Sequence, residues 1–390
     1  MKIRLLLPCL TAALMAQTVQ LSATPEAIEI GPNNLKDLPG GKEADGIIGD
    51  FVLRNDRVEA VISANLHLRR ANMSTFYGEN GITPGNLYDL TRRGENNDQI
   101  VVFTPSGQQG PVSYVRIASP GTTGEAVVET VVSAAMNNGL YKRHEYRLRD
   151  GWQGVLIVTT FRNESGEPRK GSVADRWTKF DSTGSFDGIS WADSIDPSDK
   201  CGYAYDWFTD DRFKRPGREI ELKPGQEVSF ARFLAVGGSP AEALGEVAAF
   251  TGKKTARVQG RLNERNGDAI ATGNIAFTRG KSSINAYPDK SGGFDLRLPA
   301  GDYAWQASDI GRGSTDSNRA SLAPGAIFPV GAVLPPAAVL EFDIRDESGR
   351  GIPCKAQFRG INGTKTPNLG PGWRAHGCLD QYHSEKGQFR

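Results

Sequence analysis

The chain is poor in the side chains that do chemistry unaided. Its 390 residues include only four cysteines and four histidines, the latter being His67, His144, His376 and His383. No His-x-His or His-Glu-x-x-His pair occurs, and no Cys-x-x-Cys, phosphate loop or Gly-x-Ser-x-Gly elbow stands in a usable setting. Those absences exclude the common metalloprotease, redox, nucleotide-binding and serine-hydrolase signatures. Charge of one sign is lacking too. Lys plus Arg is 46 and Asp plus Glu is 45, so no basic field recommends nucleic acid as a partner. Beyond the first residues there is no apolar run of membrane-spanning length, so no transmembrane segment is expected in the mature chain.

The start of the chain has the layout of a secretory signal peptide. Lys2 and Arg4 precede a short apolar run at 5–16, and small residues follow at Ala16 and at Ser22-Ala23. We therefore expect 1–23 to be removed and the mature protein to be exported, periplasmic or extracellular. Export permits a disulfide, and Cys354 and Cys378 are the expected pair because they lie in one small module; Cys201 is then an odd, buried thiol.

Turn formers are plentiful, with 46 glycines and 22 prolines, and strand patterns dominate. Residues 50–62 read as strand, Asn55-Asp56 turn, strand. Further strands are expected at 99–103, 112–117, 126–134, 142–149 and 155–162. Another hairpin is expected from 218–222 through Lys223-Pro224-Gly225-Gln226 to 228–236. In 142–149, Arg143, Glu145, Arg147 and Arg149 alternate with His144, Tyr146 and Leu148, giving one polar face and one more apolar face. Ser239-Pro240-Ala241-Glu242 opens a helix over 240–251 that Gly252 stops. The fold class read from this is mainly β: a large antiparallel β-sandwich over 26–252, then one complete and one truncated Ig-like module. The module and a linker occupy 256–337, with 311–337 reading as loop. The second module is 338–390.

The two modules form a repeat. Val258-Gln259-Gly260-Arg261-Leu262 matches Leu340-Glu341-Phe342-Asp343-Ile344. The turn Arg265-Asn266-Gly267-Asp268 matches Glu347-Ser348-Gly349-Arg350, and Asn274-Ile275-Ala276-Phe277 matches Lys355-Ala356-Gln357-Phe358. Phe294 matches Phe389. The strand that closes the first copy, with Tyr303, has no counterpart before Arg390, so 338–390 is expected to be truncated and the least stable region.

Candidate sites are few. Trp191, Tyr203, Tyr205 and Trp207 follow a run of carboxylates that includes Asp187 and Asp193. Rings stack on pyranose faces and carboxylates bind hydroxyls, so these six suit a sugar site; such aromatics also build ordinary sandwich cores. No cofactor is expected in this chain; Asp181, Asp187, Asp193, Asp196 and Asp199 could hold calcium, but they lack EF-hand spacing, and the favoured account is that Asp, Ser and Gly here build solvated loops. His376, Cys378, His383 and Cys354 could ligate zinc, against the plainer account of a disulfide and two surface imidazoles. His144, Asp175 and Arg176 would form an acid–base group only if their strands are neighbours.

The segment from Val258 to Tyr303, with its Leu298-Pro299-Ala300-Gly301-Asp302-Tyr303 ending, resembles the carboxypeptidase-regulatory-like module, a seven-stranded Ig-like sandwich. The larger arrangement resembles exported CehA/McbA-type metallohydrolases of the PHP superfamily. The matching points are Leu53-Arg54-Asn55-Asp56-Arg57-Val58, Asn72-Met73, Asp89-Leu90-Thr91 with Asn97-Asp98-Gln99, Leu148-Arg149-Asp150-Gly151-Trp152, and 376–378 with 387–390. That resemblance implies a metal site in a later domain opened by His-x-His, so no catalytic residue and no metal ligand carries over to this chain. The expected function is an exported, non-catalytic scaffold or binding region, whose partner is a following hydrolase domain or a cell-surface glycan. The alternatives are a carbohydrate-binding or adhesive β-sandwich, and a sugar-modifying enzyme with its site in 26–236, since the sandwich would resemble the galactose-mutarotase type.

Overall fold

The computed structural model describes residues 24–71, 81–177, 182–194, 200–309, 311–337, 340–363, 366, 369, 377–378 and 380–389. The expected signal segment, Asn72-Met73, Asp181, Asp196, Asp199 and His376 lie outside them. The chain is mainly β. An eight-stranded antiparallel sheet runs in the order Thr183–Phe186, Ile189–Asp193, Gly202–Phe208, Glu227–Gly237, Gly154–Asn163, Leu140–Arg149, Glu125–Val132, Tyr114–Pro120. A six-stranded sheet, from Glu26–Glu29 to Arg176–Trp177, packs on one face of it. Leu53, Ala60, Leu90 and Phe103 of the six-stranded sheet meet Val128, Tyr146, Ile157 and Leu234 of the eight-stranded sheet in one buried cluster. The alternation in 142–149 predicts this: His144, Tyr146 and Leu148 face inward, while Arg147 and Arg149 reach Glu125 on the outside.

Asn55 explains why the first hairpin sits where it does. Its carboxamide oxygen accepts from the Arg57 and Val58 amides, at 2.8 Å each, so the turn is held by a side chain rather than by left-handed backbone. Its nitrogen donates to the carbonyls of Arg149 and Trp152 at 2.7 and 2.8 Å, fastening the hairpin to a turn of the other sheet.

The expected hairpin at 218–236 is not one. The Lys223–Gln226 turn forms, but Glu219–Leu222 pairs with Arg169–Ser172, and Glu227–Gly237 is laddered between Gly154–Asn163 and Gly202–Phe208. Buried Asn163 takes over the role a partner strand would have played. Its backbone bonds Gly225 and Gln226, and its side chain donates to Leu222 O. The chain therefore leaves one sheet and enters another within four residues.

The helix spans Pro240–Phe250. Ser239 Oγ accepts from Glu242 N at 3.2 Å, and Glu242 reaches back to Gly238 N at 2.9 Å. Its apolar face, with Leu244 and Val247, joins Phe233 of the large sheet and Leu296 and Tyr303 of the next module in one continuous cluster. The boundary at 253–254 is thus a change of layer rather than a loose linker. The first module has seven strands of at least five residues: Thr255–Glu264, Asn274–Arg279, Ser282–Ala286, Gly293–Pro299, Gly301–Asp309, Asn318–Leu322 and Ile327–Leu334. The last two correct the reading of 311–337 as loop. Ala320, Leu322, Val330, Ala332 and Leu334 are buried in alternation, and Ile327–Leu334 pairs parallel to Thr255–Glu264.

In the second copy Phe342–Asp343 pairs with Gln388–Phe389, and Cys354–Gln357 and Gly377–Cys378 flank Gln381–Ser384. The expected Cys354–Cys378 disulfide is not formed: Cys354 is a free thiol, and buried Cys201 is in no disulfide either. Cys354 is level with Ser384 and Cys378 with Gln381, on opposite sides of the middle strand. Two strand spacings and three residues of rise separate their backbones by roughly 14 Å, about twice the reach of a disulfide.

Candidate functional site

The six predicted sugar-site residues are not brought together. Trp191 is level with Ala204, whereas Tyr203, Tyr205 and Trp207 alternate with Ala204 and so face the opposite side of the sheet. Trp191 packs over Gly184, where a β-carbon would meet the indole at 2.6 Å. Tyr203 is fully buried. Its hydroxyl donates to Asp98 at 3.3 Å and accepts from Gln99 N at 2.9 Å. Tyr205 packs edge-on against Phe103 and Trp177. Asp187 lies at a hairpin tip, φ 54°, ion-paired to Arg279 at 3.0 Å. Asp193 accepts from the Tyr287 hydroxyl and is held above the usual carboxylate range by burial. Among the described residues no group of three or more His, Cys, Asp or Glu is arranged to hold a metal ion.

His144 and Asp175 do not lie on neighbouring strands, since Asp175 precedes the short strand Arg176–Trp177 of the other sheet, and they are linked only through two residues the sequence pattern left out, Thr159 and Arg232. Arg232 is wholly buried and grips the equally buried Asp175 by two bonds, Nε to Oδ2 at 2.8 Å and Nη2 to Oδ1 at 2.6 Å. The Ser106 amide also donates to Asp175 at 2.8 Å, from a backbone with φ 52°. Arg232 Nη1 donates to Thr159 Oγ1 at 2.7 Å, and Thr159 lies 2.9 Å from His144 Nδ1. The other ring nitrogen, His144 Nε2, is buried without a hydrogen-bond partner among the described residues. Burial first, then the charges of Lys142 and Arg232, hold His144 well below its ordinary pKa. Trp207 covers the Arg232 guanidinium at 4.9 Å. This network consumes its own carboxylate. A buried pair so fully bonded is a structural fastener, and losing one partner costs about 3–5 kcal/mol.

Beside the network is a solvent-open cavity of about 440 Å³, inside the range of roughly 300–1,000 Å³ typical of small-molecule sites. The strand Leu140–Arg149 supplies Lys142, its neighbour Gly154–Asn163 supplies Phe161, and the short strand Arg169–Ser172 closes the far wall with Arg169, Lys170 and Ser172. Ser106, Asn137 and Asn138 complete a polar rim. Lys142 is only 9% exposed and has no hydrogen bond or ion pair among the described residues. Burial alone pushes its amine down to about 8. The sequence carries a signal for it: Lys142 continues the inward phase of His144, Tyr146 and Leu148, where a lysine has no structural reason to be. Arg232 likewise stands in phase with inward Phe230 and Leu234.

A second buried polar group holds the six-stranded sheet to its loops. Asp89 accepts from the Asp45 and Gly46 amides at 2.9 and 3.2 Å, and Asp98 from Leu90 N at 2.7 Å. Burial pushes Asp89 up to about 8, and burial together with the Asp89 charge raises Asp98. The Asp98 carboxylate of the polar turn at 96–99 thus bonds a neighbouring strand and also accepts from the Ile100 amide at 3.5 Å.

No protein-family model matches the chain, and no curated protein matches it. Among solved structures it is similar to a TPR-domain containing protein from Parabacteroides distasonis, at 11% identity and TM-score 0.31, over 49% of this chain and 47% of that one. A polysaccharide lyase aligns at 10% identity and TM-score 0.29, over 67% and 47%. The galactosidase domain of an alpha-galactosidase-sucrose kinase aligns at 8% identity and TM-score 0.28, over 56% and 46%. The alignments span about half the length of those chains. Among the described residues no helix is long and apolar enough to cross a membrane.

Proposed function

We propose that this chain is a carbohydrate-binding β-sandwich region of an exported protein, and that its ligand site is the cavity beside Lys142. The observation that carries the reading is the composition of that cavity. Ser106, Asn137, Asn138 and Ser172 offer uncharged hydrogen-bonding groups over an apolar floor of Leu140 and Phe161, the combination that hydroxyl-bearing rings require. Binding is favoured over catalysis because the neighbouring carboxylate, Asp175, is spent on Arg232 and Ser106, and no acidic residue lines the cavity. A glycan array followed by calorimetry tests it. Ser172→Trp, which fills the cavity from its rim, should abolish binding with the fold intact. Binding that survives this change, or no glycan bound at all, overturns the proposal.

The same reading accommodates the resemblance to CehA/McbA-type proteins, with this chain as the non-catalytic region in front of a hydrolase domain. The support is the helix Pro240–Phe250, which fastens the sandwich and first module through one buried cluster and so would present a ligand site in fixed relation to a domain further along the chain. A gene sequence lacking a downstream His-x-His domain would remove that second part.

A further inference from the structure

Resting on the carbohydrate reading, we infer that the sugar held in this cavity is acidic, a hexuronate whose carboxylate sits on Lys142. The cavity wall carries three basic side chains, Lys142, Arg169 and Lys170, and no Asp or Glu. Lys170 faces Glu221 at 3.8 Å and Arg169 faces exposed Glu167 at 3.8 Å, both on the solvent side. Arg169 Nε is buried without a partner. Lys142 alone is buried with no anion at all, and a cation so placed gains most from one that arrives with a ligand. Arg232 cannot serve, since Asp175 already neutralises it. A carboxylate fits the need for one charge better than a doubly charged phosphate, and the Asn and Ser groups around the rim suit ring hydroxyls.

The ligand also couples to protons. The groups facing Lys142 are His144 on its own strand, the Arg232–Asp175 pair, and Arg169 and Lys170 from the opposite wall. His144 is neutral through the neutral range, so Lys142 is the group that titrates near pH 8. A carboxylate selects the protonated amine and raises its pKa on binding, so affinity is full below pH 8 and falls above it.

The experiment measures the intact protein against trisaccharides of galacturonate, glucuronate and mannuronate, their carboxyl-reduced neutral counterparts, and a sulfated neutral trisaccharide. At least one uronate should bind ten-fold or more tighter than its reduced form. Lys142→Met, which removes an unpaired buried charge and should fold at least as well, should erase that preference. Calorimetry of the unsubstituted protein at pH 8 in buffers of different ionisation enthalpy should show uptake of about half a proton per ligand. Equal affinity for acidic and reduced sugars overturns the inference and leaves the carbohydrate reading standing. Tighter binding of the sulfated sugar, or no proton uptake at pH 8, also overturns it. Failure of every sugar to bind removes both.

Discussion

Leu262 and Ile344 make the same hydrogen bonds in different surroundings. Leu262 N donates to Gly292 O at 2.9 Å and Ile344 N to Gly387 O at 2.8 Å. Ile270 N returns to Leu262 O, as Ile352 N does to Ile344 O. The bridges Asn263 to Ala269 and Arg345 to Gly351 also correspond, as do the Gly260–Phe294 and Phe342–Phe389 pairs. Yet Leu262 and Ile270 are 0% and 2% exposed, whereas Ile352 is 37% exposed and, among the residues of 340–388 whose burial is described, only Gly387 is buried. Register and turn chemistry therefore need only local residues. Burial needs the later strands, which in the first copy bring Tyr303, Trp305, Leu322 and Leu334 over Leu262. A backbone pattern can thus be repeated without the free energy that usually accompanies it.

The comparison breaks most easily by hydrogen exchange. The Leu262 amide should exchange at least about a thousand-fold more slowly than the Ile344 amide, since it opens only with the buried cluster. Equal protection would mean that the second copy has a core of its own. Leu262→Ala should lower the stability of the main cooperative transition by about 2–5 kcal/mol, while Ile344→Ala should shift it by less than about 1 kcal/mol. Thermal melts of both variants decide this. Gly292 and Gly387 sharpen it further. They have φ of 76° and 72°, and a β-carbon would lie 2.6 and 2.2 Å from the carbonyls of Leu262 and Ile344. Gly292→Ala should cost about 1–3 kcal/mol globally. Gly387→Ala, despite the tighter clash, should leave the melt unchanged and only speed exchange at Ile344. Smallest of all, Gly267→Ala and Gly349→Ala meet no neighbour within 4 Å, so only left-handed backbone strain remains. That is about 1 kcal/mol in the first copy and undetectable in the melt for the second.

Much of this architecture is legible in the sequence alone, and the features that are not share a physical cause. The helix at 240–250 is readable because its cap, its proline and its glutamate are all local. The inward phase of Leu140–Arg149 is readable from alternation. Pairing partners are not: the turn at 223–226 looks like a hairpin because nothing nearby in the sequence reveals Asn163. The strands at 318–322 and 327–334 are hidden by small residues, Ala320, Gly331 and Ala332, and the burial of Ala320 and Ala332 depends on distant neighbours. The sugar-site residues fail on phase, since Trp191 and Tyr203 belong to strands whose register puts them on opposite faces. Lys142 escapes notice because a single lysine in a strand reads as solvated until its face is known to be covered.

The parallel pairing of Ile327–Leu334 with Thr255–Glu264 has a mechanical consequence. If the first module is pulled by the chain entering at 255 and leaving at 334, these two strands are drawn past each other lengthwise. The ladder is then loaded in shear, and its bonds must yield together rather than open one by one as in a hairpin peeled from its end. Resistance to such a pull is set by the unfolding rate. A protein anchored at one end and holding a ligand at the other would carry tension through the element best oriented to bear it.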